Sequence, residues 1–96
     1  MVQENVVVDI KGKMYSVQFV DELPGSYGCS DSEHQKITVE RQSDEVIVFR
    51  SIVHELLHCY LNECGLSSYS NDETLISWLD YHFLEIYKKC NEIFRQ

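Results

Sequence analysis

Basic residues are scarce in this chain. Eight Lys and Arg stand against sixteen Asp and Glu in 96 residues, a formal net charge of −8 and a pI near 4.8. Binding to phosphate backbones needs a basic stripe, and eight scattered cations do not make one. Direct nucleic-acid binding is therefore not expected, and a neutral or basic peptide is the better match. Proline and glycine are sparse too, at one and four residues, which argues against long linkers. No run approaches the roughly 20 apolar residues of a membrane span. The start, Met1-Val2-Gln3-Glu4-Asn5, lacks the basic stretch that opens an export signal. The expected setting is the cytoplasm. Cys29, Cys59, Cys64 and Cys90 include no C-x-x-C pair, so reduced core thiols are expected rather than a disulfide framework or a second zinc site. Cys29, in the loop Tyr27-Gly28-Cys29-Ser30, has one further reading, a thiolate that caps a nearby metal.

What is present points to one folded domain. Hydrophobic residues at 44% and aromatics at 11% are enough for one modest core in 96 residues. Asn5 to Ile10 and Met14 to Val20 are rich in β-branched and aromatic residues, with Lys11-Gly12-Lys13 as a hairpin turn between them. In the second strand Tyr15, Val17 and Phe19 alternate with Ser16 and Gln18, one buried face and one wet face. Residues 21–33 read as a loop, and Lys36 to Glu40 as a third short strand with charged ends, at the sheet edge. Two helices follow. The first runs from about Asp44 to Cys64, with Phe49, Ile52, Val53, Leu56, Leu57 and Tyr60 at helical spacing, a Ser43 or Asp44 cap, and Gly65 as its stop. Leu66 to Asn71 reads as a polar connection. The last helix spans about Asp72 to Phe94, with Leu75, Ile76, Leu79, Phe83, Ile86, Tyr87 and Cys90 as its apolar stripe. The expected fold is α+β: a small antiparallel sheet of about three strands packed on two C-terminal helices.

The first helix carries the chemistry. His54-Glu55-Leu56-Leu57-His58 is an H-E-x-x-H motif. At about 100° per residue, positions four apart fall within about 40° of each other one turn up, so both imidazoles reach one metal ion. Glu55, about 60° round from His58, is placed to act on water rather than to bind the metal. Two neutral nitrogen ligands for Zn²⁺ with a carboxylate beside them are the parts of a zinc hydrolase. The bland alternative is an amphipathic helix with two histidines on its polar face.

A hydrolytic zinc site takes three protein ligands and keeps one position open. Glu73 is the leading third ligand, with Asp72 and Asp80 as alternatives. Glu73 has a structural competitor role, because Ser70-Asn71-Asp72-Glu73 also reads as a capping box. Asp80, seven residues on, shares the Glu73 face and suits the orienting of an imidazole N–H. His82 points to the opposite side. Tyr27, Tyr69, Tyr81 and His82 are the side chains able to steady an oxyanion.

These features together resemble the minimal zincin-type metallopeptidases of phages and mobile elements, relatives of the ImmA/IrrE-like family. The resemblance rests on His54-Glu55-Leu56-Leu57-His58, the helix exit Asn62-Glu63-Cys64-Gly65-Leu66 and the acidic start of the last helix. It covers roughly Tyr27 to Phe94, and only the H-E-x-x-H part is specific. It implies a zincin-like fold in one metallopeptidase-like domain, zinc held by His54, His58 and a downstream Glu, Glu55 as general base, and cleavage of a protein partner of the repressor type. A metzincin is excluded, since no H-x-x-G-x-x-H follows and neither Met lies downstream. The reading from another class is a zinc-stabilised or metal-free regulatory module that binds protein without catalysis.

Overall fold

The computed structural model describes residues 5–96; the export-signal reading of the first residues lies outside them in part. The chain folds as α+β, in the order β1 (Asn5–Ile10), β2 (Lys13–Val20), β3 (Gly28–Asp31), β4 (Lys36–Glu40), α1 (Glu45–Glu63), α2 (Ser67–Ser70) and α3 (Glu73–Phe94). The β1–β2 turn is Lys11-Gly12, with φ of 53° and 90°, the double left-handed geometry that matches strand twist in a two-residue hairpin. Asp9 Oδ1 accepts from Gly12 N at 2.7 Å and closes it.

The sheet differs from expectation in size and direction. It has four strands in the order β1-β2-β4-β3, and it is mixed, because β2 and β4 run parallel while the other two pairs are antiparallel. The extra strand, β3, lies within the segment read as a loop. Gly28-Cys29-Ser30-Asp31 contains no β-branched or aromatic residue, so its strand character comes from backbone pairing with β4 rather than from side-chain preference. As a consequence Lys36–Glu40 is interior, not an edge, and the two edge strands are β1 and β3.

One face of the sheet buries Ile10, Tyr15, Phe19, Ile37 and Val39 against Val48 and Cys59 of α1, with Ile52 and Leu56 packed alongside. Each large apolar side chain so enclosed contributes about 1.5–3 kcal/mol. The stripe expected on α1 is therefore rotated. Phe49 and Tyr60 are exposed, and the buried positions are Val48, Ser51, Glu55 and Cys59, because small and polar residues let the helix lie close to the sheet. Asp44 caps α1 by accepting from Val46 N. At the other end Gly65 takes φ 75°, Leu66 N donates to Leu61 O and Gly65 N to Asn62 O, the paired bonds of a Schellman stop.

The connection expected to be irregular holds the short helix α2. Asp72, not Ser70, caps α3, its carboxylate accepting from Leu75 N at 3.1 Å. The capping box does not form, and Glu73 is left without that role. Of the cysteines only Cys59 is in the core; Cys29, Cys64 and Cys90 are exposed free thiols. Burial pushes the Cys59 thiol up to about 11, which makes it inert near neutral pH. Among the described residues no helix is long and apolar enough to cross a membrane.

Candidate metal centre

The rotation of α1 divides the motif between two neighbours. Glu55 belongs to the buried, sheet-facing side, while His54 and His58, turned about 100° and 60° from it, face α3. Their rings lie edge to face with centroids 4.9 Å apart, and the two Nε2 atoms are 3.3 Å apart. Glu73, in the first turn of α3, puts Oε1 at 3.2 Å from His54 Nε2 and 3.1 Å from His58 Nε2. The three atoms make a nearly equilateral triangle. Zinc bonds of about 2.0–2.1 Å at the tetrahedral angle set neighbouring ligand atoms about 3.3–3.4 Å apart, so the triangle has close to the size that zinc needs. Among the described residues no other trio of His, Cys, Asp or Glu brings ligand atoms this close.

Hydrogen bonding on the far side of each ring decides what the near side offers. His54 Nδ1 lies 2.7 Å from Asp80 Oδ2; a carboxylate only accepts, so Nδ1 carries the proton. Ser70 Oγ is 3.0 Å from His58 Nδ1 and 3.5 Å from the His58 carbonyl oxygen. The hydroxyl donates to the carbonyl and accepts from the ring. In the neutral form that metal binding requires, both imidazoles direct Nε2 lone pairs at each other and at a carboxylate oxygen. In that form three acceptors converge, an arrangement matched by a cation.

Asp80 is itself held. Arg50 donates to its Oδ1 from Nε at 3.0 Å and from Nη2 at 2.7 Å, and the guanidinium carbon sits 4.8 Å from the Tyr81 ring centroid. The Asp80 side chain is 7% exposed, so its negative charge is shared between Arg50 and His54 out of water. It stands behind His54 rather than at the metal position. Asp72 is engaged as the α3 cap. The two alternatives to Glu73 are thus both occupied elsewhere.

Glu55 is buried against β3. Burial raises its carboxyl above the ordinary value, opposed by a hydrogen bond from Ser30 and by the nearby imidazoles. Alternation along β3 turns Gly28 and Ser30 toward α1, and Cys29 toward the opposite face, where it does not cap a metal. A Cβ at Gly28 would stand 3.2 Å from Glu55 Cγ, 3.2 Å from Glu55 Oε2 and 3.3 Å from the Thr38 carbonyl oxygen. Glycine is needed there for closeness, since its φ is ordinary for any residue.

A cleft of about 790 Å³ opens from His54 and Glu55 toward the start of α1, walled by Leu23, Tyr27 and Gly28 on one side and Ile47, Arg50 and Asp80 on the other. Of the four side chains considered for an oxyanion, Tyr27 alone borders this cleft. Tyr69 is exposed on α2, Tyr81 lies against Arg50, and His82 donates from Nδ1 to the Trp78 carbonyl at 2.8 Å while stacking on the Trp78 ring. Arg50, Ser70, Ser30 and Gly28 did not emerge from the sequence as site residues. Only Arg50 left a signal, standing one turn before His54 on the same helix face.

Compared with known proteins, the chain matches no family model, no curated protein and no solved structure.

Proposed function

We propose that the chain is a zinc-dependent metallopeptidase of zincin-like architecture. Its substrate is a specific cytoplasmic protein, by resemblance one of a phage or mobile element. The observation that carries this reading is the triangle of His54 Nε2, His58 Nε2 and Glu73 Oε1, with sides of 3.1–3.3 Å. When bound there, zinc supplies a Lewis acid that polarises a carbonyl and brings the pKa of water to about 7.

The chain's own residues supply everything else. His54, His58 and Glu73 would hold the ion, three protein ligands being the number that a hydrolytic zinc site takes. Asp80 and Ser70 fix the ring tautomers. Glu55 takes the proton from the attacking water and returns it to the leaving amine, a task favoured by a carboxyl whose proton affinity is raised by burial. The free edge of β3 accepts an extended substrate backbone as a further strand, and Leu23, Tyr27 and Ile47 give its side chains an apolar wall. A domain this small encloses little of a peptide, so selectivity comes from docking to one protein and generic peptides are cut weakly.

Zinc content after dialysis against metal-free buffer tests the site. We expect about one zinc per wild-type chain, lost in His58→Ala and in Glu73→Ala. Glu55→Gln is expected to keep the zinc and to abolish cleavage of a peptide library read by mass spectrometry. No zinc in the wild type after reconstitution overturns the proposal. Zinc without cleavage by the wild type leaves the zinc-stabilised binding module in its place.

A further inference from the structure

The second half of α3 carries an apolar face that the fold does not use. Ile76, Leu79, Phe83, Ile86, Cys90 and Ile93 follow one another at alternating steps of three and four, the 3.5-residue repeat of a helix-pairing seam. Ile76 is fully buried in the fold, but from Phe83 onward the seam is open, and Ile93 and Phe94 at its tip are 74% and 87% exposed. Near the middle of the seam lies an almost wholly apolar groove of about 230 Å³, lined by Leu57, Leu79, Phe83, Ile86, Tyr87 and Cys90.

Groove and tip share one helix and cannot meet within a chain, because Leu79 and Phe94 are about 22 Å apart along the axis. A second copy brings them together. We infer that α3 pairs with α3 of another copy, antiparallel about a two-fold axis near Ile86 and Tyr87, so that each Ile93-Phe94 tip fills the other chain's groove beside Leu79. The arrangement is self-complementary, as a two-fold interface requires. At roughly 200 Å² for a large side chain, Phe83, Ile86, Tyr87, Ile93 and Phe94 leave on the order of 600 Å² open per chain. With all of it covered, two copies bury about 1,200 Å², the lower bound of specific, stable interfaces.

Charge permits the pairing. The chain is strongly acidic overall, but the last turns of α3 carry three cations, Lys88, Lys89 and Arg95, against two anions, Glu85 and Glu92, and at helical spacing all of these except Lys89 lie on the side of the helix away from the apolar face. A second copy meets no like-charge field there. The face also lies roughly a quarter turn from Glu73 and Asp80 around α3, so the cleft stays open in the pair, and the inference stands whether or not the chain binds zinc.

Sedimentation equilibrium of the full chain under reducing conditions, from about 1 to 100 µM, tests it. A dimer is expected in the micromolar range, weakened more than about 100-fold by Phe94→Asp, since each dimer loses two buried aromatic tips. Phe94 is exposed in the single chain, so the variant's circular dichroism is expected to be unchanged; Ile86→Asp serves as the independent second variant. A wild type that stays monomeric at 100 µM overturns the inference, and so does a dimer indifferent to both substitutions. Mild oxidation fixes the direction. In the antiparallel pair the two Cys90 residues are about 10 Å apart along the axis, too far for a disulfide, whereas Ile86→Cys lies beside its mate and cross-links. Efficient Cys90 cross-linking of the wild type overturns the antiparallel arrangement.

Discussion

The two imidazoles of the H-E-x-x-H motif are held by different chemistry. His54 donates to a buried carboxylate that Arg50 clamps with two hydrogen bonds; His58 donates to the Ser70 hydroxyl. A carboxylate partner makes an imidazole a stronger ligand and locks its orientation, while a hydroxyl mainly orients. The ring beside the cleft therefore carries the stiffer support, and the ring beside α2 the softer one. The difference shows how two histidines related by one helical turn acquire unequal surroundings from their neighbours.

Asp80→Ala should break this asymmetry with the largest effect. It removes the support of His54 and leaves Arg50 without its partner. We expect zinc affinity to fall about 10–100-fold. Because Arg50 is partly exposed and regains water, the metal-free protein should lose only about 2–3 kcal/mol, less than a fully buried pair would. Competition with a chelating dye and urea unfolding give the two numbers, and an unchanged zinc affinity would show that the carboxylate only packs. Arg50→Gln comes next: Asp80 keeps His54 but loses its clamp, with an expected loss of about 3–10-fold in affinity. Ser70→Ala follows with a loss of about threefold, and about 1 kcal/mol of stability for one neutral hydrogen bond. If Ser70→Ala proves more damaging than Asp80→Ala, the ranking of the two supports is reversed.

These neighbours explain which parts of the site could be read from the sequence. The motif sits within one helix, so its spacing, its Asp44 cap and its Gly65 stop are local facts. Glu73 and Asp80 were within reach because they share one face of a second helix. Arg50 and Ser70 act across the α1–α3 and α1–α2 contacts; Arg50 is marked only by its place one turn before His54, and nothing local to Ser70 distinguishes it from an ordinary polar side chain. β3 was missed for a related reason. Gly28-Cys29-Ser30-Asp31 has poor strand preference, yet a glycine and a small hydroxyl are what lets a strand pass directly over Glu55. The buried face of α1 was also misjudged, because Ser51, Glu55 and Cys59 do not look like core residues until the sheet is laid against them.

Gly28 separates the proposed base, Glu55, from both histidines. A methyl group there meets Glu55 and the Thr38 carbonyl at 3.2–3.3 Å, so β3 or the Glu55 side chain has to shift by a few tenths of an ångström. On the proposed mechanism, Gly28→Ala should lower kcat about 10-fold, with Gly28→Val larger. Zinc content should be unchanged, since neither histidine nor Glu73 is touched. Loss of zinc in Gly28→Ala would mean that the strand supports the whole motif rather than its base.

The smallest effect concerns how the His58 end of α1 is tied to the sheet. Past His58, Glu63 accepts from the buried Tyr15 hydroxyl and pairs with Lys13 at 3.1 Å. The Tyr15 bond, then the Lys13 bond, hold the Glu63 carboxyl below its ordinary value of 4.5, while burial and the same contact push the Tyr15 hydroxyl up to about 12. A carboxyl depressed in the folded state binds fewer protons there than in the unfolded chain. Its contribution is therefore fully present above the ordinary carboxylate range and is lost as pH falls through the folded value. Near neutral pH neither group changes charge. Tyr15→Phe removes the larger of the two influences, so melting temperature followed from pH 7 down to about pH 3 should fall less steeply in the variant than in the wild type. Parallel curves would place the acid sensitivity elsewhere, with Asp31, which His34 depresses in the same direction from the β3–β4 turn, as the next carboxylate to substitute.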